Sequence, residues 1–214
     1  MLRVLARTSG FTLIELIVGM LIFAIGMTAI LALLHSTIDN ALYSRHEIIV
    51  ANLLREEIEL VKNIRNSNVR NVVPFDSVKL SGSAVTTLSN GSYIIENNYS
   101  HTGYDLDPST GIIENMPITL SGIVLPSSDA EKFSLSALYL DREGRFTHMP
   151  TATGSVYASY ITITPLQFRD GNSILVNVEK NGKTQWYILD ARVLVKTRGY
   201  KEYDLKSIIT DWKQ

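Results

Sequence analysis

The sequence predicts an α+β protein in which one long amino-terminal helix packs on an antiparallel β-sheet head. Two observations carry that reading. The first 73 residues contain no proline and place apolar side chains at helical spacing, whereas the chain beyond Asn66 changes to alternation of period two, punctuated by turn signals. The chain has 214 residues, 45% of them hydrophobic, which suffices for one globular domain and an appended segment but not for two full domains.

Bulk charge and cysteine usage exclude several function classes. A formal charge of -1 and a pI near 6.4 give no global attraction to nucleic acid or anionic lipid, so no nucleic-acid partner is indicated. The absence of cysteine removes disulfides, thiolate metal sites and a cysteine nucleophile. A head of about 150 residues is then expected to hold together by its apolar core alone.

Met1 to Ser9 carries Arg3 and Arg7 and no acid, which by the positive-inside rule keeps this end in the cytoplasm and places the head outside it. From Leu16 to Leu34 run 19 residues without a charge, or 24 from Phe11 when Glu15 is included. About 20 are needed to span a bilayer, so a single membrane-crossing helix is expected. A secretory signal would have a shorter apolar region and a small-residue cleavage site, and this run leads into His35, Ser36 and Thr37 instead. A plain signal anchor, leaving a permanently tethered binding module, fits the length and the arginines but leaves Glu15 without a role. A carboxylate within a membrane segment is costly and calls for a partner.

The run Gly10, Phe11, Thr12, Leu13, Ile14, Glu15 and Leu16 resembles the type III signal of type IV pilins and type II secretion pseudopilins. The resemblance implies a pilin-like fold and cleavage by the prepilin peptidase between Gly10 and Phe11. It also implies N-methylation of Phe11 and a subunit-docking role for Glu15. The implied partners are that peptidase, other pilins or pseudopilins met through the helix, an inner-membrane assembly platform and membrane lipid. The chain would reside in the cytoplasmic membrane and then in a pilus or pseudopilus.

The chemistry of these implied steps is coherent. Glycine at the cut site permits close backbone approach by a protease. Cleavage removes both arginines and leaves a cationic amine at Phe11, and methylation keeps its charge. That amine can meet Glu15 of a neighbouring subunit, so two groups costly to bury alone are neutralised together. Residues 51–66 and 138–164 resemble minor pilins described as pilus modification proteins, related to the I-type pseudopilins. Major pilins often carry a proline in the second half of the membrane helix and a carboxy-terminal disulfide loop, and this chain has neither. The resemblance therefore implies a minor subunit.

Past Leu34 the helix becomes amphipathic. Tyr43, Val50, Leu54, Ile58, Val61 and Ile64 share one face, while Arg55, Glu56, Glu59, Lys62 and Asn63 lie largely elsewhere. A helix from Phe11 to Asn66 would be roughly 80 Å long at 1.5 Å per residue. The expected divisions are a leader (1–10), a membrane half (11–34), an amphipathic half (35–66) and a β-rich head (67–214). Gly19 and Gly26 in the membrane half suit close approach of neighbouring helices.

In the head, Phe133, Leu135, Ala137 and Tyr139 alternate with serines, Ile161 and Ile163 with threonines, and Ile174, Val176 and Val178 precede Asn181-Gly182. These read as strands, with Asn181-Gly182 as a type I′ hairpin turn and Asp141 to Gly144 as a second turn. Short strands joined by loops are expected between Val73 and Lys132. Tyr157, Tyr160, Trp186, Tyr187 and Tyr203 fit a sheet core better than an adhesive surface. Leu205, Ile208, Ile209 and Trp212 recur at helical spacing after Asp204 and suggest a short closing helix.

Catalytic signatures are lacking. His35, His46, His101 and His148 are scattered singly and are expected at the surface, and there is no phosphate loop and no recognisable Ser-His-Asp spacing. Asp105, Asp107, Ser109 and Gly111 with Glu114 form the nearest approach to a calcium loop, but the spacing fails that template and Pro108 stiffens it. No catalytic residue, cofactor or metal is expected, and the chain reads as a recognition subunit.

Overall fold

The computed structural model describes residues 12–80, 85–97, 105–106, 113–115, 118–150, 153–169, 175–177, 179–180 and 183–211. The chain divides into two compact units, Met1–Ile49 and Val50–Gln214.

Helix α1 (Leu13–Arg70) contributes to both units. In the first, apolar side chains are exposed on every side, as Leu13 (77%), Phe23 (70%) and Leu33 (69%) illustrate. Apolar surface of that extent demands cover by lipid or protein. This helix is long and apolar enough to cross a membrane. Tyr43, expected on the packed face, is exposed, because full burial begins only at Val50.

In the second unit, α1 buries Val50, Leu53, Leu54, Glu57, Ile58, Val61, Ile64 and Asn68, a stripe at spacings of three and four. Apart from Tyr43, the stripe contains the expected apolar residues, and it adds Leu53 and the polar Glu57 and Asn68. The helix continues past the expected end at Asn66 because a Schellman motif closes it: the Val73 N–H donates to the Asn68 carbonyl (2.9 Å) and the Val72 N–H to that of Val69 (3.3 Å). Val72 occupies the left-handed position with φ of 61°. Asn68 Nδ2 then donates to the carbonyls of Phe75 (3.1 Å) and Ser77 (2.6 Å), fixing the chain as it leaves the helix.

The remaining elements are β1 (Ser77–Lys79), β2 (Val85–Thr87), β3 (Gly91–Asn97), β4 (Asp105–Leu106), β5 (Ile113–Asn115), β6 (Ile118–Ile123), α2 (Asp129–Leu135), β7 (Ala137–Leu140), β8 (Phe146–Thr147), β9 (Thr153–Pro165), β10 (Gln167–Arg169), β11 (Leu175–Asn177), β12 (Glu179–Lys180), β13 (Lys183–Thr184), β14 (Trp186–Lys196) and β15 (Tyr200–Thr210). A seven-stranded sheet runs in the order β15-β14-β9-β3-β6, with β7 joined to β9 and β8 to β7. Its strand pairings are antiparallel. The α+β class and the packing of a long helix on an antiparallel sheet are thus as the sequence predicts.

Strand β9 organises the sheet. One edge pairs with β14 from Tyr157 to Pro165. The other edge is shared: β7 takes Thr153, Gly154 and Ala158, and β3 takes Ile161 to Ile163. Ser159 and Tyr160 lie at the fork between these partners, where the Ser159 N–H donates to the Ser136 carbonyl (3.0 Å). Alternation sends Ser159, Ile161 and Ile163 toward α1, and the register places Val193, Ala191 and Leu189 beside them. The opposite face carries Ala158, Tyr160 and Leu194, covered by Ile123, Leu125 and Phe133.

Two expected elements take a different form. Phe133, Ser134 and Leu135 belong to α2 rather than to a strand, because Ser128 caps a helix by accepting from the Glu131 N–H at 3.3 Å. Strand geometry starts only at Ala137. The carboxy-terminal segment is likewise a strand: β15 pairs with β14 over its whole length, from Trp186 opposite Thr210 to Lys196 opposite Tyr200. Ile209 is buried opposite Tyr187, while Ile208 points to the other face and is half exposed. Apolar residues on both faces of this edge strand imitate helical spacing. Trp212 lies outside the described residues.

Both expected turns lie between paired strands. Lys180 pairs with Lys183 around residues 181 and 182, which are themselves outside the described set. At the other turn, the Gly144 N–H donates to the Asp141 carbonyl (3.1 Å), and Gly144 has φ of 77°. The Asp141 carboxylate accepts from the backbone N–H groups of Glu143 (2.9 Å) and Arg145 (2.8 Å). The Arg145 N–H leads the interactions that hold its pKa below the ordinary value.

Candidate functional site

The amino-terminal candidates sit at the start of α1. Gly10 and Phe11 lie outside the described residues, and Glu15 is in the first helical turn. The Glu15 carboxylate accepts from the Thr12 N–H at 2.9 Å and from the Thr12 hydroxyl at 2.9 Å. In return the Glu15 N–H approaches Thr12 Oγ1 at 3.4 Å. This is a reciprocal capping box, Thr-x-x-Glu, which satisfies donors that a helix start leaves unpaired. Glu15 therefore has a local partner within its own chain, one signalled by the four-residue pattern Thr12-x-x-Glu15.

Around it the helix offers a shallow apolar groove lined by Glu15, Leu16, Gly19, Met20 and Phe23. At both Gly19 and Gly26, an added Cβ would meet nothing within 4 Å. The backbone is consequently open to close approach at these two points.

A second polar group lies inside the head, at the fork of the sheet. Glu57 is 5% exposed and reaches from α1 to Ser159, whose hydroxyl donates to Glu57 Oε1 at 2.6 Å. Ser159 Oγ also lies 3.3 Å from His148 Nε2. With its proton committed to Glu57, the hydroxyl can accept from an Nε2–H. Burial is the main cause that pushes the Glu57 pKa up to about 8. Burial likewise lowers that of His148 to about 4. Nearby Glu96 accepts from the Thr147 hydroxyl at 3.4 Å, and its pKa is raised chiefly by burial.

His148 is thus half-buried with its ring facing inward, rather than free at the surface as expected. The loop after β8 turns its ring inward against the Ser159 hydroxyl. A nucleophilic triad needs the imidazole between hydroxyl and carboxylate, so that the ring can take the hydroxyl proton. Here the hydroxyl stands between the other two, and its proton goes to the carboxyl. Ser159 is a bridge. A charged side chain favours the solvent face, yet the position of Glu57 falls within the stripe of Leu53, Leu54, Ile58 and Val61, which is the signal for its burial.

Tyr157, Tyr160 and Tyr187 are buried in the sheet, whereas Trp186 is 40% exposed. Tyr160 donates to Glu202 at 2.6 Å, and Arg192 joins Glu202 (3.3 Å) to Asp190 (2.8 Å), so this network ties β9, β14 and β15 together. Among the described residues no cluster of three or more His, Asp or Glu is arranged to hold a metal ion. Most of the nearest calcium-loop candidate, from Asp107 to Gly111, lies outside the described residues.

No curated protein and no solved structure matches the chain. Residues 5–31 match the family model described as the prokaryotic N-terminal methylation motif, a span that takes in Gly10, Phe11 and Glu15. With a membrane-length apolar helix beginning inside that span and an antiparallel sheet packed on its far half, the chain carries a prokaryotic N-terminal methylation motif.

Proposed function

We propose that this chain is a minor pilin or pseudopilin, a structural subunit made in the cytoplasmic membrane with its amino terminus inside and its head outside. The prepilin peptidase cuts after Gly10, Phe11 becomes the N-methylated first residue, and the helix assembles into a pilus or pseudopilus. The methylation motif over residues 5–31 carries the reading. The exposed apolar length of α1 supports it, since lipid covers this surface before assembly and neighbouring helices cover it afterwards.

The absence of proline within Leu13–Arg70 and of cysteine throughout favours a minor subunit over a major one. Its activity is recognition, through the helix and the head, of other subunits and of the inner-membrane assembly platform. In this reading Glu15 exchanges its Thr12 contacts for the cationic amine of a neighbouring subunit, where burial of each charge offsets that of the other.

Mass spectrometry of the mature amino terminus provides the test. A chain beginning with N-methylated Phe11 is expected. An intact Met1 end overturns the reading in favour of a permanently tethered extracytoplasmic binding module.

A further inference from the structure

A buried carboxyl with no cation beside it among the described residues occupies the fork of the sheet. The groups facing Glu57 are Glu56 from its own helix, Glu96 from β3, His148 and Thr147 from the end of β8 onward, and Ser159 from β9. Among the described residues, no lysine or arginine lines the cavity they share. Glu57 Oε2 and His148 Nδ1 are both buried there without a hydrogen-bond partner among the described residues. The cavity measures about 30 Å³, enough for a single water among these polar groups. Such an environment accepts a neutral acid and penalises a carboxylate.

We propose that Glu57, Ser159 and His148 form a proton-operated latch fastening α1 to the sheet: the neutral acid keeps Val50–Arg70 seated at the fork, and loss of its proton loosens that segment. In the neutral form Glu57 accepts from Ser159 through Oε1 and keeps its own proton on Oε2. Once ionised, it faces Glu56 and Glu96 with no cation lining the cavity among the described residues. Relief then comes from opening the fork to water. The latch belongs to the head and does not depend on how the amino terminus is processed.

The direction of the pH effect follows from linkage. Glu57 moves from 4.5 to about 8, so its stabilisation is fully present below 4.5 and lost as pH rises through 8. His148 moves from 6.5 to about 4, so its stabilisation is present above 6.5 and lost as pH falls through 4. The two oppose each other between about 4.5 and 6.5. Above 6.5 the Glu57 contribution acts alone, and the latch opens between 6.5 and about 8.

Hydrogen–deuterium exchange on the full-length chain in detergent micelles, corrected for intrinsic exchange, tests this between pH 5.5 and 9. Peptides within Val50–Arg70 and around Ser159 are expected to open more readily by on the order of tenfold per pH unit from 6.5 to 8, while β14 stays protected. Glu57→Gln keeps an acceptor for Ser159 but cannot ionise, and should abolish the rise. The latch is overturned by an equal rise in the Gln variant, by none in the wild type, or by a rise shared equally with β14. Should the variant fail to fold, the carboxyl of Glu57 in the wild type can be titrated by carbon-13 NMR. A midpoint above about 6.5 then supports the latch, and one at or below it overturns it.

Discussion

Ser159 donates its hydroxyl proton to Glu57 at 2.6 Å across a sequence separation of 102, joining the helix to the fork of the sheet through one buried bond. Removing the hydroxyl leaves a carboxyl that is still buried and now lacks this donor. Ser159→Ala should therefore destabilise the head by about 1–3 kcal/mol, seen as a lower urea midpoint at unchanged slope. Because this bond holds the Glu57 pKa down against burial, the same variant should move the loss of stability to higher pH. An unchanged midpoint would show that the bond contributes nothing net.

Val72 closes α1 in the left-handed region while 84% exposed, so it contributes backbone strain and little packing. Glycine adopts this conformation freely. Val72→Gly should raise stability by about 1 kcal/mol, since relief of strain exceeds the entropy gained by the unfolded chain. Thermal unfolding followed by circular dichroism decides the matter, and a lower melting temperature would contradict it.

Gly144 gives the reverse case. Its φ is 77°, and an added Cβ would meet nothing within 4 Å, so any penalty comes from the backbone alone. Gly144→Ala should cost about 1 kcal/mol, and Gly144→Asn less, because asparagine tolerates this region better. Equal losses for the two variants in chemical denaturation would argue against a conformational cause.

At the amino terminus, capping and charge can be separated. Glutamine can serve in the same capping box. Glu15→Gln should therefore retain the helix start and fail in filament incorporation, whereas Glu15→Ala loses both. Processing should survive both changes, while Gly10→Val should leave an uncut precursor. Normal incorporation of the Gln variant, scored by immunoblot of sheared filaments, would make the cap rather than the charge the role of Glu15.

Much of this architecture was legible in the residues. Val50, Leu54, Ile58, Val61 and Ile64 lie on the buried stripe where helical periodicity put them, because an amphipathic helix has one way to bury its apolar face. Asp141 to Gly144 formed its turn because the Asp141 carboxylate and Gly144 satisfy its geometry locally. The same local logic holds at Ser128-x-x-Glu131 and Thr12-x-x-Glu15, where short capping patterns outweigh the alternation or the lone charge beside them.

Local rules did not reach the remainder. Residues 205–209 became a strand because β14 offers a full ladder of backbone partners, which no count of apolar spacing along β15 could reveal. Periodicity, charge placement and the GFTLIEL run by themselves determined the long helix, its membrane-length apolar half and the methylation motif, all properties of contiguous residues. Only the tertiary structure decided the fate of Glu57 and His148. Residues 57, 148 and 159 meet because β9 changes partners at Ser159, and a solvent-face reading of a charged residue fails where a fork in a sheet supplies the hydroxyl that receives it.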